Sequence, residues 1–274
     1  MEKTLDYLRA KKKNGIPIVM LTAYDCVMAR IEDEAGVDAI LVGDSVGTNV
    51  LGYASERDVT MADMVHHTAA VARGVRHAYL LADMPYRSAD TFRTAEKHAG
   101  RLLGAGAECV KIEGWRDRRR IIARLSEKKI PVCAHIGYNP QIHGLPRVFG
   151  RTAVEALDLV QSALLLQEAG AVLLIVEKIP REVAAIITQT LSIPVIGIGC
   201  GAQCNGQVLV INDLLGALPR TFKHARRYMD LYGSAFKAVE SFGRDVFKRR
   251  FPAARHASSM EQREYKAFCS LLKT

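Results

Sequence analysis

The sequence predicts a single (β/α)8 barrel of the TIM type, and three observations carry that expectation. Eight short apolar runs recur along the 274 residues, at 18–21, 39–43, 78–82, 109–112, 132–134, 173–176, 195–198 and 208–211. Each is followed by glycine or a polar residue, and helix-length stretches separate most of them, as in the βα units of a parallel sheet. A junction of one kind also repeats. Ala35-Gly36, Ala105-Gly106 and Ala169-Gly170 each stand just before a run, where glycine can take the left-handed conformation that ends a helix. Finally, Ile16-Pro17, Ile130-Pro131 and Ile193-Pro194 introduce three of the runs. Proline suits a strand's first residue, because no ladder donor is needed there. An open doubly wound sheet is the runner-up and would also place ligands at the strand C-termini. Eight units in one chain favour the closed barrel, whose chemistry sits on the C-terminal rim.

Taken in order, the elements fit one domain over residues 1–274. Residues 1–14 are charged and lack a signal-peptide core, and 5–13 should form a helix capping the barrel's bottom. After the second run, residues 45–60 make a long connection that ends at Thr60, a helix cap with Asp63 at the capping-box position. Residues 136–152 make a second long connection, after the fifth run. Both leave the rim, and loops of such length usually act as functional lids. The last two runs are separated only by 199–207, too few residues for a full helix. Residues 219–274 should form basic C-terminal helices and a tail.

Composition excludes several classes. No apolar stretch approaches the roughly 20 residues of a membrane span. The six cysteines, with Cys109 and Cys133 inside apolar runs, read as reduced core residues of a cytoplasmic protein. Cys200 and Cys204 have no partner pair at zinc spacing and read as structural. Of the net charge of +9, residues 219–274 carry +8, with 13 Lys and Arg against 5 Asp and Glu. Those charges are interleaved with acids and apolar residues, so a solvated helical surface is expected rather than a nucleic-acid interface.

The chemistry is concentrated at the ends of three successive runs, which close on Asp44-Ser45, on Asp83 and on Glu113. Neighbouring parallel strands would bring the three acids to one rim, where like charges repel unless a cation sits among them. Oxygen-only ligands are hard, so Mg²⁺ or a similar divalent ion is expected. Lys111 shares a strand face with Glu113, either paired with an acid or facing a substrate carboxylate. His135 ends the fifth run and Glu177 the sixth. A metal flanked by a lysine and a separate glutamate suits enolisation of a 2-oxo acid, with the base a carboxylate off the metal.

The order of motifs resembles the ketopantoate hydroxymethyltransferase family along roughly residues 15–256. The segments that carry it are Thr22-Ala23-Tyr24-Asp25, Gly43-Asp44-Ser45-Val46-Gly47, Ala82-Asp83-Met84-Pro85, Val110-Lys111-Ile112-Glu113-Gly114, His135-Ile136-Gly137, Gly197-Ile198-Gly199 and Gly206-Gln207-Val208. The resemblance implies a barrel of the phosphoenolpyruvate mutase/isocitrate lyase superfamily, assembled as a decamer. It implies hydroxymethyl transfer from 5,10-methylenetetrahydrofolate to 3-methyl-2-oxobutanoate, for pantothenate synthesis. By the same resemblance Asp44, Asp83 and Glu113 would hold Mg²⁺, and Asp44, Ser45, Asp83 and Lys111 the 2-oxo acid. Glu177 would be the proton acceptor and His135 a rim residue beside the substrate.

The chain departs from the family pattern at several places. Lys178 follows the base where cysteine is usual, and its ammonium would weaken a nearby carboxylate as a base. Asn205 and Asn212-Asp213 replace a common Asp and His-Asp, Trp115 stands where a second glycine is typical, and the connection after His135 is shorter. These positions bear on the substrate side chain and the folate fit. Two rival readings remain: a Mg-dependent C–C lyase or aldol-type enzyme acting on another 2-oxo acid, and a non-catalytic paralogue. Superfamily lyases generally carry a cysteine on a mobile loop, and 136–152 contain none.

Overall fold

Eight parallel strands close on themselves in chain order in the computed structural model of the protein, which describes residues 2–143, 147–219 and 222–272. The strands are β1 (Ile18–Thr22), β2 (Ala39–Val42), β3 (Tyr79–Asp83), β4 (Cys109–Glu113), β5 (Val132–Gly137), β6 (Leu173–Glu177), β7 (Val195–Ile198) and β8 (Gly206–Leu209). Pairing of β1 with both β2 and β8 completes the ring. The helices are α1 (Leu5–Lys13), α2 (Cys26–Glu34), α3 (Met61–Ala72), α4 (Phe92–Gly104), α5 (Arg119–Glu127), α6 (Ala153–Glu168), α7 (Arg181–Thr190), α8 (Ile211–Leu215), α9 (Leu231–Phe247) and α10 (Gln262–Leu271).

Local chemistry accounts for most junctions. Gly36, Gly106 and Gly170 all have positive φ, at 90°, 110° and 99°, a region costly for any residue with a Cβ. The three prolines stand one residue ahead of their strands rather than first in them. Pro131 and Pro194 still join the ladder, because their carbonyls accept from the N–H of Val110 and of Leu174. Thr60 and Asp63 form the reciprocal cap of α3. The eighth strand lies two residues earlier than the apolar run suggests. Gly206 is pressed between its neighbours, where a Cβ would come within 2.4 Å of the Ile18 carbonyl. Ile211, counted in that run, instead opens α8. No helix separates β7 from β8, as the short spacing requires.

Side-chain alternation divides the core in two. Met20, Leu41, Leu81, Cys109 and Ile175 fill the barrel's interior, while a second cluster lies between the strands and the outer helices. Leu8 of α1 belongs to the inner set and is fully buried. Burial of such a side chain stabilises by about 1.5–3 kcal/mol, so α1 docks beneath the barrel. Asn205 is also at this lower end: its side-chain oxygen accepts from Lys12 Nζ at 2.9 Å and from the Val195 N–H. It is therefore remote from the rim.

The connection 45–60 is less irregular than its length suggests, with helical turns at Gly47–Leu51 and Glu56–Asp58. Beyond α8 the chain leaves the barrel. No residue of α9 or α10 is buried, and Phe236, Val239, Phe242 and Phe247 are 62%, 70%, 56% and 90% exposed. The helical surface is solvated as expected, but it is not only polar. Charges are interleaved with large apolar groups, and a single chain leaves those groups in water.

One buried acid lies outside both clusters. Glu32 on α2 is 2% exposed, and neither carboxyl oxygen has a hydrogen-bond partner. Burial, helped by Asp25, raises its pKa from 4.5 to about 8. Between those values the folded chain keeps a proton that the unfolded chain has lost. Stability therefore falls as pH rises through that window, by about 1.4 kcal/mol per unit. Glu32→Gln should melt near the parent at about pH 5 and well above it at about pH 9. Equal differences at both pH values would refute the assignment.

Candidate active site

The inward alternation that packs the barrel continues to its upper rim, where apolar residues give way to polar ones. Thr22, Asp83, Lys111, Glu113, His135 and Glu177 follow the inward Met20, Leu81, Cys109, Cys133 and Ile175 at steps of two. Register sets their neighbours: Asp83 pairs with Lys111, Glu113 with His135, and Gly137 with Glu177. Asp44 and Ser45 lie just past β2, beyond Gly43. A Cβ on Gly43 would come within 3.6 Å of an Asp83 carboxyl oxygen and 3.0 Å of Ser45 Oγ, so the glycine keeps this corner open. The polar side chains among these, with Tyr138 and Lys178, line one cavity of about 340 Å³.

Lys111 is the centre of the charge network. Its ammonium donates to Asp83 Oδ1 at 2.7 Å and to Glu113 Oε1 at 3.1 Å. The other Asp83 oxygen accepts from the Asp44 N–H at 3.1 Å. His135 Nδ1 lies 3.1 Å from Glu113 Oε1, and its Nε2, which has no hydrogen-bond partner, is 3.5 Å from Glu177 Oε2. On the other side of Glu177, Lys178 Nζ is 3.4 Å from Oε1 and rests 4.2 Å above the Tyr138 ring. Lys178 has a left-handed φ of 48°, a strained conformation for a residue with a Cβ.

Charge is unevenly balanced here. Burial pushes the Asp44 carboxyl well above its usual range, and Asp83 and Glu113 push it further. Asp83 is also raised by burial, and Lys111 only partly offsets this. Burial acts on Glu113 in the same direction, but Lys111 and His135 outweigh it and hold the group at about 2. Three acids thus share one lysine, which bonds directly to Asp83 and Glu113, and burial raises both Asp44 and Asp83 despite it. Among the described residues, no three His, Cys, Asp or Glu side chains already close on a common point, because Lys111 stands between Asp83 and Glu113. The convergence read from the sequence is a network rather than a finished cage. Its donor chemistry nevertheless fits a hard divalent cation: buried carboxylates, no thiol, and a deficit of positive charge.

Several residues of the site carry no obvious mark in the sequence. Gln141 donates its amide to Asp44 Oδ2 at 2.7 Å and its backbone N–H to Glu113 Oε2 at 3.1 Å. Tyr24 sets Ser45, with oxygens 2.8 Å apart, and accepts from the Thr22 hydroxyl at 3.0 Å. Tyr24 does fall in a segment that carries the family resemblance. Nothing in the pattern marks Gln141 except its place in a long rim connection. Asp213 lines the cavity from α8 rather than from a strand end.

Comparison with known proteins bears on the family and the fold. The model of the family described as ketopantoate hydroxymethyltransferase matches residues 2–254. A 3-methyl-2-oxobutanoate hydroxymethyltransferase from Roseiflexus sp. is 46% identical over 270 residues, covering 96% of this chain and 97% of the relative. One from Hyperthermus butylicus is also 46% identical, over 271 residues, covering 97% and 94%. Among solved structures, a 2,3-dimethylmalate lyase described as a PEP mutase/isocitrate lyase superfamily member superposes with a TM-score of 0.61 at 16% identity. It covers all of this chain and 96% of the lyase; at that identity the likeness is one of fold.

Proposed function

Since the chain belongs to the ketopantoate hydroxymethyltransferase family, we propose that its rim cavity transfers a hydroxymethyl group to 3-methyl-2-oxobutanoate, with 5,10-methylenetetrahydrofolate as donor. The product is 2-dehydropantoate, an intermediate of pantothenate biosynthesis. One observation supports this use of the cavity above others: Lys111 bonds to Asp83 and Glu113, and Asp44 adjoins Asp83, while the ion-pair neighbours of Glu177 are His135 and Lys178 instead.

In this reading Asp44, Asp83 and Glu113 hold Mg²⁺ or a similar cation. When bound, the ion supplies Lewis acidity that stabilises negative charge on a 2-oxo acid as its C3 proton leaves. Lys111 adds positive charge beside the substrate carboxylate and keto oxygen, and Asp44 and Ser45 fix the acid's orientation. Glu177 takes the C3 proton, and His135, between Glu113 and Glu177, sets its approach. The nucleophilic carbon so formed bonds to the donor's methylene carbon. Both C–N bonds of the methylene bridge break: water supplies the hydroxyl, and its remaining proton and the one taken by Glu177 go to the two nitrogens as tetrahydrofolate departs.

Assembly is part of the same proposal. The exposed apolar groups of α9 and α10 favour burial against further copies of this chain, and the family resemblance makes the assembly a decamer. Six free cysteines and the absence, among the described residues, of any helix long and apolar enough to cross a membrane accord with a cytoplasmic enzyme. Purified protein with Mg²⁺, methylenetetrahydrofolate and 3-methyl-2-oxobutanoate should form 2-dehydropantoate; failure to form it would overturn the activity. Light scattering on the same preparation should give the mass of many chains, and a single-chain mass would overturn the assembly.

A further inference from the structure

We infer that Gln141 is a positioning residue of the rim site, holding Asp44 and Glu113 in place, and that Arg57 in turn fixes Gln141. The inference rests on the reading of those acids as cation ligands. Gln141 follows β5, yet it bonds to the ends of three other successive strands. Its side-chain amide donates to Asp44 Oδ2 at 2.7 Å and to the Met84 carbonyl at 3.0 Å, and its backbone N–H to Glu113 Oε2 at 3.1 Å. It is buried, so these bonds do not compete with bulk water.

The residue is held from behind by the other long rim connection. Arg57 donates from Nε to the Gln141 carbonyl at 2.9 Å and from Nη2 to the Ile142 carbonyl at 2.8 Å. A planar guanidinium that grips two adjacent carbonyls fixes the peptide between them in both position and tilt. Asn139 adds a second anchor, donating to the His135 carbonyl at 3.0 Å and accepting from Trp115 Nε1 at 3.2 Å. The two long connections are therefore tied together directly above the acids.

Chemistry explains why a neutral amide serves here. Asp44 and Asp83 already repel each other and Glu113. An ammonium or guanidinium in place of the amide would compete with a divalent ion for the same charge, and a carboxylate would add to the repulsion. An amide N–H orients a carboxylate oxygen without changing the net charge. Partners behind a ligand commonly govern metal affinity in this way.

Mn²⁺ titrated into the full chain without substrate, followed by electron paramagnetic resonance, tests the inference. Gln141→Leu keeps the shape and loses both side-chain donors. It should bind Mn²⁺ about 10–100-fold more weakly than the parent, with little change in the apo melting temperature. Arg57→Lys touches no carboxylate, keeps its charge and loses the fork, and should weaken Mn²⁺ in the same direction. Parental Mn²⁺ affinity in both variants would overturn the inference while leaving the cation reading intact. Absence of Mn²⁺ binding in the parent would instead overturn the cation reading, and this inference with it.

Discussion

Asp44→Ala is expected to abolish turnover and divalent-cation binding together, while the folded chain becomes no less stable. The two halves have one cause. Asp44 is buried and its carboxyl is raised well above the usual range by burial and by Asp83 and Glu113. Its removal therefore relieves like-charge crowding and takes only one accepted bond from Gln141, whose amide still donates to the Met84 carbonyl. In the working enzyme the same oxygens would face the cation. Several kcal/mol of transition-state stabilisation depend on that ion, so kcat/KM should fall by about 10³-fold or more. Steady-state kinetics over a Mg²⁺ series and a thermal melt without metal read the two effects separately. Full activity of the parent in exhaustive chelator, or retained Mg²⁺ dependence in Asp44→Ala, would refute the site.

How much of this was legible in the sequence depends on the physics behind each residue. Strand positions were legible because burial on both faces demands continuous apolar runs, and Asp83, Glu113 and Glu177 follow those runs without a break. Their inward direction follows from parity alone, as Leu81 to Asp83 and Cys109 to Lys111 and Glu113 illustrate. β8 was misplaced because Gly206 and Gln207 carry no apolar mark, yet Gly206 is the residue that fits between β1 and β7. Gln141 and Arg57 were not legible at all. Their roles come from tertiary proximity across 84 residues, and neither residue type is distinctive in a polar connection. The exposure of α9 was hidden for a different reason. An amphipathic pattern announces that an apolar face will be covered, but not whether its own chain covers it.

Glu177→Gln is expected to block exchange of the C3 proton of 3-methyl-2-oxobutanoate with deuterated water, even without folate. The base of an enolisation should be a carboxylate that no metal has made weakly basic, and in the proposed assignment Glu177 is that group. Its near polar neighbours are His135 Nε2 at 3.5 Å and the Lys178 ammonium at 3.4 Å; His135 links it to Glu113. Glutamine keeps the volume of the side chain but cannot accept the proton, so exchange should slow by about 10²–10⁴-fold. Binding of the 2-oxo acid in the presence of Mg²⁺ should remain close to the parent's, because Lys111, Asp44, Ser45 and Asp83 are untouched. This separation distinguishes a base from a residue that merely shapes the cavity, whose loss would weaken binding as well. Exchange at the parental rate would move the base to His135, which lines the same cavity and whose Nε2 has no hydrogen-bond partner among the described residues.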